Sequence, residues 1–262
     1  MRLVPSIMLV LAGTLVAFTA TSCGQAPSAP QEVTASSSNA LAISSSQATP
    51  GGLVSTDSAT SPSTPPQQST HRPADIESAS SLTVLVNKQN PLSPLTYVPD
   101  NLQPFGAVML RAEAAEAAHR MFEDASAAGV PMVALSGYRS YEDQERTYAS
   151  WVAQYGPDQA DVASARPGYS EHQTGLALDI GTGGNCDVQP CFKDTAAALW
   201  VAENAHRYGF VVRYPWWQHE TTGYWYESWH LRYIGEEEAA AFKASSSETL
   251  EDFWGAGPAP TY

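Results

Sequence analysis

The middle of the chain reads Ser170-Glu-His-Gln-Thr-Gly-Leu-Ala-Leu-Asp-Ile180. In its second half, large apolar residues alternate with Ala177 and Asp179, which is the pattern of a strand with one face in a core. Asp179 then lies on the other face, where a carboxylate at the edge of the core needs a partner. Gly175 permits a sharp turn that could bring His172 back toward Asp179. The stretch therefore predicts a strand that carries a polar cluster.

The sequence on both sides of this stretch predicts a mixture of short strands and helices. Besides 176–180, strands are predicted at 82–86, 130–135, 210–214 and 224–234. Helices are predicted at 107–128, 140–155 and 194–208. The second helix opens with Ser140 and Asp143, which resemble a capping box. Because strands and helices do not alternate as regular βαβ units, the fold class is α+β, with a small central, mostly antiparallel sheet flanked by helices.

The distribution of aromatic residues divides the chain. Phe18 stands alone near the N-terminus, and the other aromatic residues begin at Tyr97. A long segment without aromatic residues and with few aliphatic ones buries too little surface to offset the entropy lost on ordering. We therefore predict a disordered tether rich in Ser, Thr, Pro and Ala at 23–80, one folded domain at 81–245 and a C-terminal tail at 246–262.

The first residues have the features of an export signal. Arg2 precedes an apolar run at 3–20, and small residues then lead to Cys23. A cysteine at this point resembles a bacterial lipoprotein signal, which predicts that 1–22 are removed and that Cys23 carries a lipid. The alternatives are an uncleaved single-span anchor and simple secretion. All three place the domain outside the cytoplasm, and the first tethers it to the outer face of the cell membrane.

The charge of the chain excludes two classes of partner. The formal net charge is -14, and the Lys and Arg residues of the folded domain are scattered singly. Binding to nucleic acid needs clustered basic residues that contact phosphates, so no nucleic-acid partner is expected. Peripheral binding to anionic lipid is excluded for the same reason. Neither exclusion affects a small or neutral substrate.

Two cysteines, Cys186 and Cys191, are left once Cys23 is assigned to the lipid. An even number of cysteines in an oxidising compartment, closing a short loop, predicts a disulfide between them. The alternative is a pair of zinc thiolates. Cys-x4-Cys without a second pair is, however, a poor pattern for structural zinc.

Three segments carry the chemistry of the folded domain: Ser136-Gly-Tyr-Arg-Ser-Tyr141, the stretch from Ser170 to Asp179, and Glu227-Ser-Trp-His230. In this order they resemble the VanY-type D-alanyl-D-alanine carboxypeptidases, a family of zinc peptidases that trim cell-wall stem peptides. The resemblance extends over about 82–235, which is most of the foldable chain. It implies a single zinc-peptidase domain of the hedgehog/D,D-peptidase type.

The resemblance implies that His172, Asp179 and His230 bind one catalytic Zn²⁺. The residue types agree independently, because two imidazoles and one carboxylate suit Zn²⁺ and leave a fourth position open for water. Glu227 matches the general base of the family, which activates the attacking water and later protonates the leaving amine. On a regular strand Glu227 and His230 would face opposite sides, so we expect a bend or bulge between them.

Three further residues match positions near the substrate. Arg139 matches the family arginine that stabilises the tetrahedral oxyanion. By the same resemblance, Ser170 and Tyr138 are expected close to the bound peptide. The sequence departs from the family pattern at Ser228, where Pro is usual, and at Trp216-Trp-Gln-His219, where a basic residue is more usual.

These observations predict a membrane-tethered, monomeric zinc D,D-carboxypeptidase that removes the terminal D-alanine from peptidoglycan stem peptides. An L,D-carboxypeptidase of the same fold, acting on tetrapeptide stems, is the nearest alternative, because the shared motifs determine the chemistry and not the residue accepted. A non-catalytic wall-binding lipoprotein of the same fold is the alternative from another class. It would have lost a metal ligand or the base, and the sequence retains all four.

Overall fold

The computed structural model of the protein describes residues 73–262. The predicted signal at 1–22, the lipidation site Cys23 and the tether as far as residue 72 lie outside the described residues. Within 73–262, no helix combines the length and the apolar character needed to cross a membrane.

Two antiparallel sheets organise the described residues. The first is a hairpin of β1 (Leu102–Phe105) and β2 (Val108–Arg111). The central sheet has four strands, which in chain order are β3 (Val133–Ser136), β4 (Ala177–Gly181), β5 (Phe210–Tyr214) and β6 (Glu227–Tyr233). Their spatial order is β3-β4-β6-β5, and every neighbouring pair is antiparallel. The predicted α+β class with a small antiparallel sheet is confirmed.

Helices surround the central sheet. They are α1 (Ala112–Ala127), α2 (Tyr141–Tyr155), α3 (Pro157–Ala163), α4 (Ala196–Asn204), α5 (His219–Thr222), α6 (Glu236–Ala244) and α7 (Leu250–Phe253). Three 3₁₀ turns lie between them, at Glu171–Thr174, Pro190–Asp194 and Ala205–Tyr208. The larger core cluster joins the alanine-rich face of α1 to the apolar face of the sheet, including Met121, Leu178 and Leu231. Because of that packing, the other face of β4, which carries Asp179, is directed away from the core.

The helix termini follow the predicted capping residues closely. Ser140 caps α2, and its hydroxyl accepts a hydrogen bond from the backbone N–H of Asp143 at 3.1 Å. The next predicted helix begins slightly later than expected, because Thr195 is the N-cap of α4. Its last turn tightens into a 3₁₀ helix that ends at Gly209, where φ is 83°.

Two predictions at the N-terminal side of the domain are wrong. Residues 82–86 form no strand, although Val84 and Val86 are buried. The carbonyls of Leu82 and Val84 accept hydrogen bonds from the Arg232 guanidinium, so a side chain takes the place of a neighbouring strand. The helix predicted from residue 107 begins only at residue 112, because Gly106, with φ of 58°, turns the chain into the β1–β2 hairpin first.

The segment 246–262, which the sequence analysis describes as a tail, packs against the domain. Leu250 and Glu251 are buried. The backbone N–H of Ala259 donates to the carbonyl of Thr221 at 2.7 Å. The hydroxyl of Tyr262 accepts a hydrogen bond from the backbone N–H of Arg166, also at 2.7 Å. The compact part of the chain therefore extends well beyond residue 245.

Candidate active site

The pairing of β4 with β6 brings two of the predicted metal ligands together. Asp179 and His230 are directly opposite each other in this antiparallel pair. Side chains at opposite positions project from the same face of a sheet and lie close together. His230 Nδ1 accordingly lies 3.2 Å from Asp179 Oδ1.

The third predicted ligand reaches the same place through the turn before β4. Gly175 adopts a left-handed conformation with φ of 69°, and a Cβ there would come within 3.0 Å of Arg111 and Leu102 side-chain atoms. The turn places His172 Nε2 3.2 Å from Asp179 Oδ2. His172 Nδ1 lies 2.7 Å from the carbonyl of Gly137, which can only accept, so Nδ1 carries the proton. The predicted role of Gly175 is thus confirmed.

A bulge in β6 carries Glu227 to the face of His230. Val212 pairs with Leu231 and Tyr214 pairs with Glu227, so β6 advances by four residues while β5 advances by two. This irregularity confirms the bend that the sequence predicts between Glu227 and His230. As a result, Glu227 Oε2 lies 3.6 Å from His230 Nδ1.

His172, Asp179 and His230 form the one group of potential metal ligands found within residues 73–262, and all three are buried. Asp179 Oδ1 has no hydrogen bond of regular geometry, despite the proximity of His230. Because Nδ1 of His172 carries the proton, its Nε2 in the neutral ring presents a lone pair to Asp179 Oδ2, an arrangement that a cation between the two atoms would stabilise. A tetrahedral ion with ligand distances of about 2.0–2.1 Å would separate its ligands by about 3.3 Å. The observed separations of 3.2 Å fit such an ion.

The protonation of the two histidines reflects the surrounding charges. Burial lowers the pKa of His172, which favours the neutral form that binds metals. Burial alone would also lower the pKa of His230, but the close Asp179 and Glu171 carboxylates raise it to about 10. The carboxylates around His230 therefore favour a positive charge at this place, which a bound metal ion would supply in place of the proton.

Glu227 differs from the other carboxylates of the site. Burial raises its pKa to about 7, and the opposing effects of His230 and Arg139 do not cancel this shift. A carboxylate with a pKa near neutrality can both accept and donate a proton under physiological conditions. Its position beside the ligand cluster and its pKa suit a general acid–base group.

A cleft with a volume of about 150 Å³ opens over these residues. Its lining includes Ser170 and Arg139 but not Tyr138, which is half-buried next to it in the chain. The Arg139 guanidinium is held from two sides, because it donates to Gln144 Oε1 at 2.8 Å and to Ser136 Oγ at 3.0 Å. The structure thus brings together all the predicted chemical groups except the Tyr138 side chain.

The predicted cysteine pair lies beside the cleft. Cys186 and Cys191 are joined by a disulfide. The loop that they close carries Val188 to the cleft wall.

The sequence analysis missed a glutamate directly behind the site. Glu171 Oε2 lies 3.2 Å from His230 Nε2. Burial alone would raise the pKa of Glu171, but Arg213 and Arg232 hold it well below its usual range. A signal was present in the sequence, because both arginines stand between apolar or aromatic strand residues, where a buried guanidinium requires an acidic partner.

Comparison with known proteins gives consistent results. The sequence model of the family described as VanY: D-alanyl-D-alanine carboxypeptidase matches residues 107–236. The bifunctional D-Ala-D-Ala dipeptidase and D-Ala-D-Ala carboxypeptidase VanXYC of Enterococcus gallinarum is 34% identical over 175 residues, which cover 64% of this chain and 91% of the relative.

Two solved structures are similar in both sequence and fold. The LdcB LD-carboxypeptidase is 39% identical with a TM-score of 0.62, covering 68% of this chain and 87% of that protein. A Zn(II) complex of a mutant D,D-pentapeptidase VanY, from a VanB-type vancomycin resistance cassette, is 33% identical with a TM-score of 0.58. That match covers 66% of this chain and 98% of the VanY chain.

Proposed function

Because the chain belongs to the VanY family of D-alanyl-D-alanine carboxypeptidases, we propose that it is a zinc-dependent D,D-carboxypeptidase acting on peptidoglycan stem peptides. At the coarser level, it is a cell-wall carboxypeptidase of the VanY fold. The observation that carries the proposal is the convergence of His172, Asp179 and His230 beside Glu227 in one cleft. The reaction is the release of the C-terminal D-alanine by hydrolysis.

His172 Nε2, one or both Asp179 oxygens and His230 Nδ1 are the atoms that would hold the zinc ion. Bound there, Zn²⁺ supplies Lewis acidity, which polarises the scissile carbonyl and makes water more acidic. The similarity to a VanY protein solved with Zn(II) supports the choice of metal. The ligand set of two imidazoles and one carboxylate supports it on chemical grounds.

Glu227 acts as the general base and then as the general acid. Its carboxylate takes a proton from the attacking water as the new C–O bond forms. It then delivers a proton to the amine of the departing D-alanine as the peptide C–N bond breaks. This role is supported by the distance of 3.6 Å between its Oε2 and His230 Nδ1, one of the proposed ligand atoms.

Arg139 stabilises the negative charge that develops on the carbonyl oxygen. Its guanidinium lines the cleft and is fixed by Gln144 and Ser136, so little rearrangement is needed when the charge forms. Burial lowers the pKa of Arg139, although Asp179 and Glu227 act in the opposite direction. Ser170 lines the same cleft and is available to hydrogen-bond the peptide.

An L,D-carboxypeptidase acting on tetrapeptide stems is the second candidate. It is favoured by the similarity to the LdcB LD-carboxypeptidase, which is 39% identical. Both candidates use the same catalytic groups. They differ in the configuration of the residue that precedes the scissile bond.

We further propose that the enzyme works outside the cytoplasm, held at the membrane by a lipid on Cys23. The export-signal pattern of residues 1–22 and the cysteine that follows it support this location. The polymeric nature of a wall substrate also requires an enzyme on that side of the membrane.

Incubation of the zinc-loaded protein with pentapeptide and tetrapeptide stems tests the function. A D,D-carboxypeptidase converts pentapeptide to tetrapeptide and stops, whereas an L,D-carboxypeptidase converts tetrapeptide to tripeptide. Mass spectrometry of the products distinguishes the two. The Glu227→Gln variant serves as the control for contaminating peptidases. If neither stem is shortened by the wild type, the proposed function is wrong.

A further inference from the structure

Four charged side chains form a fully buried network behind the candidate metal site. The network consists of Glu171, Arg213, Arg232 and Glu251, and none of the four side chains is exposed. Two carboxylates and two guanidinium groups balance in charge. Buried charges of this kind are expensive to desolvate, and well-packed apolar residues often give a protein of equal or greater stability. Stability alone therefore does not account for the network.

The two carboxylate oxygens of Glu171 have different partners, one in the network and one at the candidate metal site. Its Oε1 accepts hydrogen bonds from Arg213 Nε at 2.8 Å and from Arg232 at 2.9 Å. Its Oε2 lies 3.2 Å from His230 Nε2. An ionised carboxylate can only accept hydrogen bonds, so it selects the form of His230 in which Nε2 carries the proton.

The opposite edge of the His230 ring faces the ligand cluster. Nδ1 lies 3.2 Å from Asp179 Oδ1 and 3.6 Å from Glu227 Oε2. With the proton held on Nε2, the Nδ1 lone pair is the one available to a metal ion. A carboxylate bound to the distal nitrogen of a metal-binding histidine fixes both the tautomer and the ring orientation.

Glu251 holds this arrangement in place from α7. Its two oxygens accept hydrogen bonds from the terminal nitrogens of Arg213, at 2.7 and 2.9 Å. Asn87 also donates to Glu251, at 3.0 Å. With its terminal nitrogens occupied, Arg213 directs its Nε toward Glu171. The chain of contacts thus runs from α7 through Arg213 and Glu171 to His230.

We propose that Glu171 is a positioning residue that presents His230 Nδ1 to the metal, and that Glu251 is a second positioning residue that acts through Arg213. The inference rests on the metal ligands named in the proposed function. It adds that zinc affinity is determined partly by residues that touch neither metal nor substrate.

The central test measures zinc affinity of the full chain with a competing chromophoric chelator. Glu171→Gln keeps the size of the side chain but can place an amide N–H opposite His230 Nε2. Loss of such an outer hydrogen-bond partner lowers metal affinity by about 10–100-fold. We expect a decrease in that range for Glu171→Gln and a smaller decrease for Glu251→Gln. Glu236→Gln, which alters an exposed ion pair with Arg120, should leave the affinity unchanged.

A second measurement needs no variant. The ¹⁵N chemical shifts of the His230 ring in the zinc-loaded wild type should show a protonated Nε2 and a metal-bound Nδ1. Metal bound at Nε2 would overturn the inference even if Glu171→Gln does not fold. The inference would also be overturned if the zinc affinity of Glu171→Gln stayed within about twofold of the wild-type value, because the expected decrease is about 10–100-fold.

The inference and the proposed function can fail separately. If the wild type binds zinc through His230 Nδ1 but shortens no stem peptide, the function is wrong and the positioning role stands. If the wild type hydrolyses a stem peptide while Glu171→Gln retains full zinc affinity, the function stands and the positioning role is wrong.

Discussion

Two glutamates lie on opposite sides of the His230 ring, and the fold gives them opposite properties. Behind the ring, Glu171 meets Arg213 and Arg232, which keep its pKa well below the usual range even though burial opposes this. On the cleft wall, burial raises the pKa of Glu227 to about 7. Both carboxylates are within 3.6 Å of a ring nitrogen of His230.

The difference shows how one residue type serves two purposes in a single site. Where guanidinium groups accompany a buried carboxylate, it stays ionised and works as a permanent hydrogen-bond acceptor. Where burial dominates, the same carboxylate can gain and lose a proton near neutral pH. Of the two, Glu227 therefore suits proton transfer, although Glu171 lies closer to the imidazole.

The largest effect is expected when the residue between the two glutamates is removed. His230→Ala deletes a proposed ligand, so the protein should lose its bound zinc and all measurable hydrolysis. His172→Ala should behave in the same way, and a chelator should abolish wild-type activity reversibly. Metal analysis by mass spectrometry checks the stoichiometry, which should be about one zinc per wild-type chain. Full zinc occupancy in both variants would show that the ligands are wrongly assigned.

Glu227→Gln should greatly slow peptide hydrolysis while the zinc ion stays bound. General acid–base catalysis contributes about 10²–10⁴-fold, so kcat should fall by at least that range, since one residue serves both proton transfers. KM should change little because the base acts mainly in the transition state. Steady-state kinetics measure both, with Glu142→Gln on α2 as a matched control. Retention of more than about a tenth of wild-type kcat, far outside the expected range, would rule out Glu227 as the base.

Glu251→Ala should lower the free energy of unfolding more than the loss of an ordinary surface ion pair does. Removing one partner of a buried pair costs about 3–5 kcal/mol because the remaining charge is left uncompensated. Glu236→Ala, which breaks the exposed pair with Arg120, should cost no more than about 1 kcal/mol. Urea unfolding of the metal-free proteins measures both. Equal losses of stability in the two variants would show that the network contributes no more than a surface pair.

Replacement of Cys186 and Cys191 by Ser should give the smallest of these effects. The disulfide closes a short loop, so its removal should lower the free energy of unfolding by on the order of 2 kcal/mol. Zinc affinity should not change, because the loop contributes Val188 to the cleft wall but no ligand. Reduction of the wild type provides the control. A loss of zinc on reduction would return the thiolates to consideration as ligands.

The sequence could place His172 near Asp179 because this part of the geometry is local. The distance from His172 to Asp179 depends on one glycine turn and one strand. The bulge near Glu227 could be predicted because two residues assigned to one site would otherwise face opposite sides. These inferences combine the residues that the family resemblance assigns to one site with the period of a strand.

The support behind the cluster could not be predicted, because it depends on contacts between distant segments. The Arg232 guanidinium donates hydrogen bonds to the carbonyls of Leu82 and Val84, and the strand expected there does not form. Glu251 lay in a segment whose composition resembled a tail, yet its carboxylate is fully buried against Arg213. Pairings between residues far apart in sequence leave no periodic pattern.

The position of Glu251 in the chain also sets an order of assembly. Glu251 follows its partner Arg213 by 38 residues. Proteins are synthesised from the N-terminus, so the sheet with all the proposed metal ligands emerges before α7. Until α7 docks, closing the core around Arg213 would bury a guanidinium with half of its partners missing. The proposed metal site is therefore expected to be completed late, after the four strands that carry its residues have already been made.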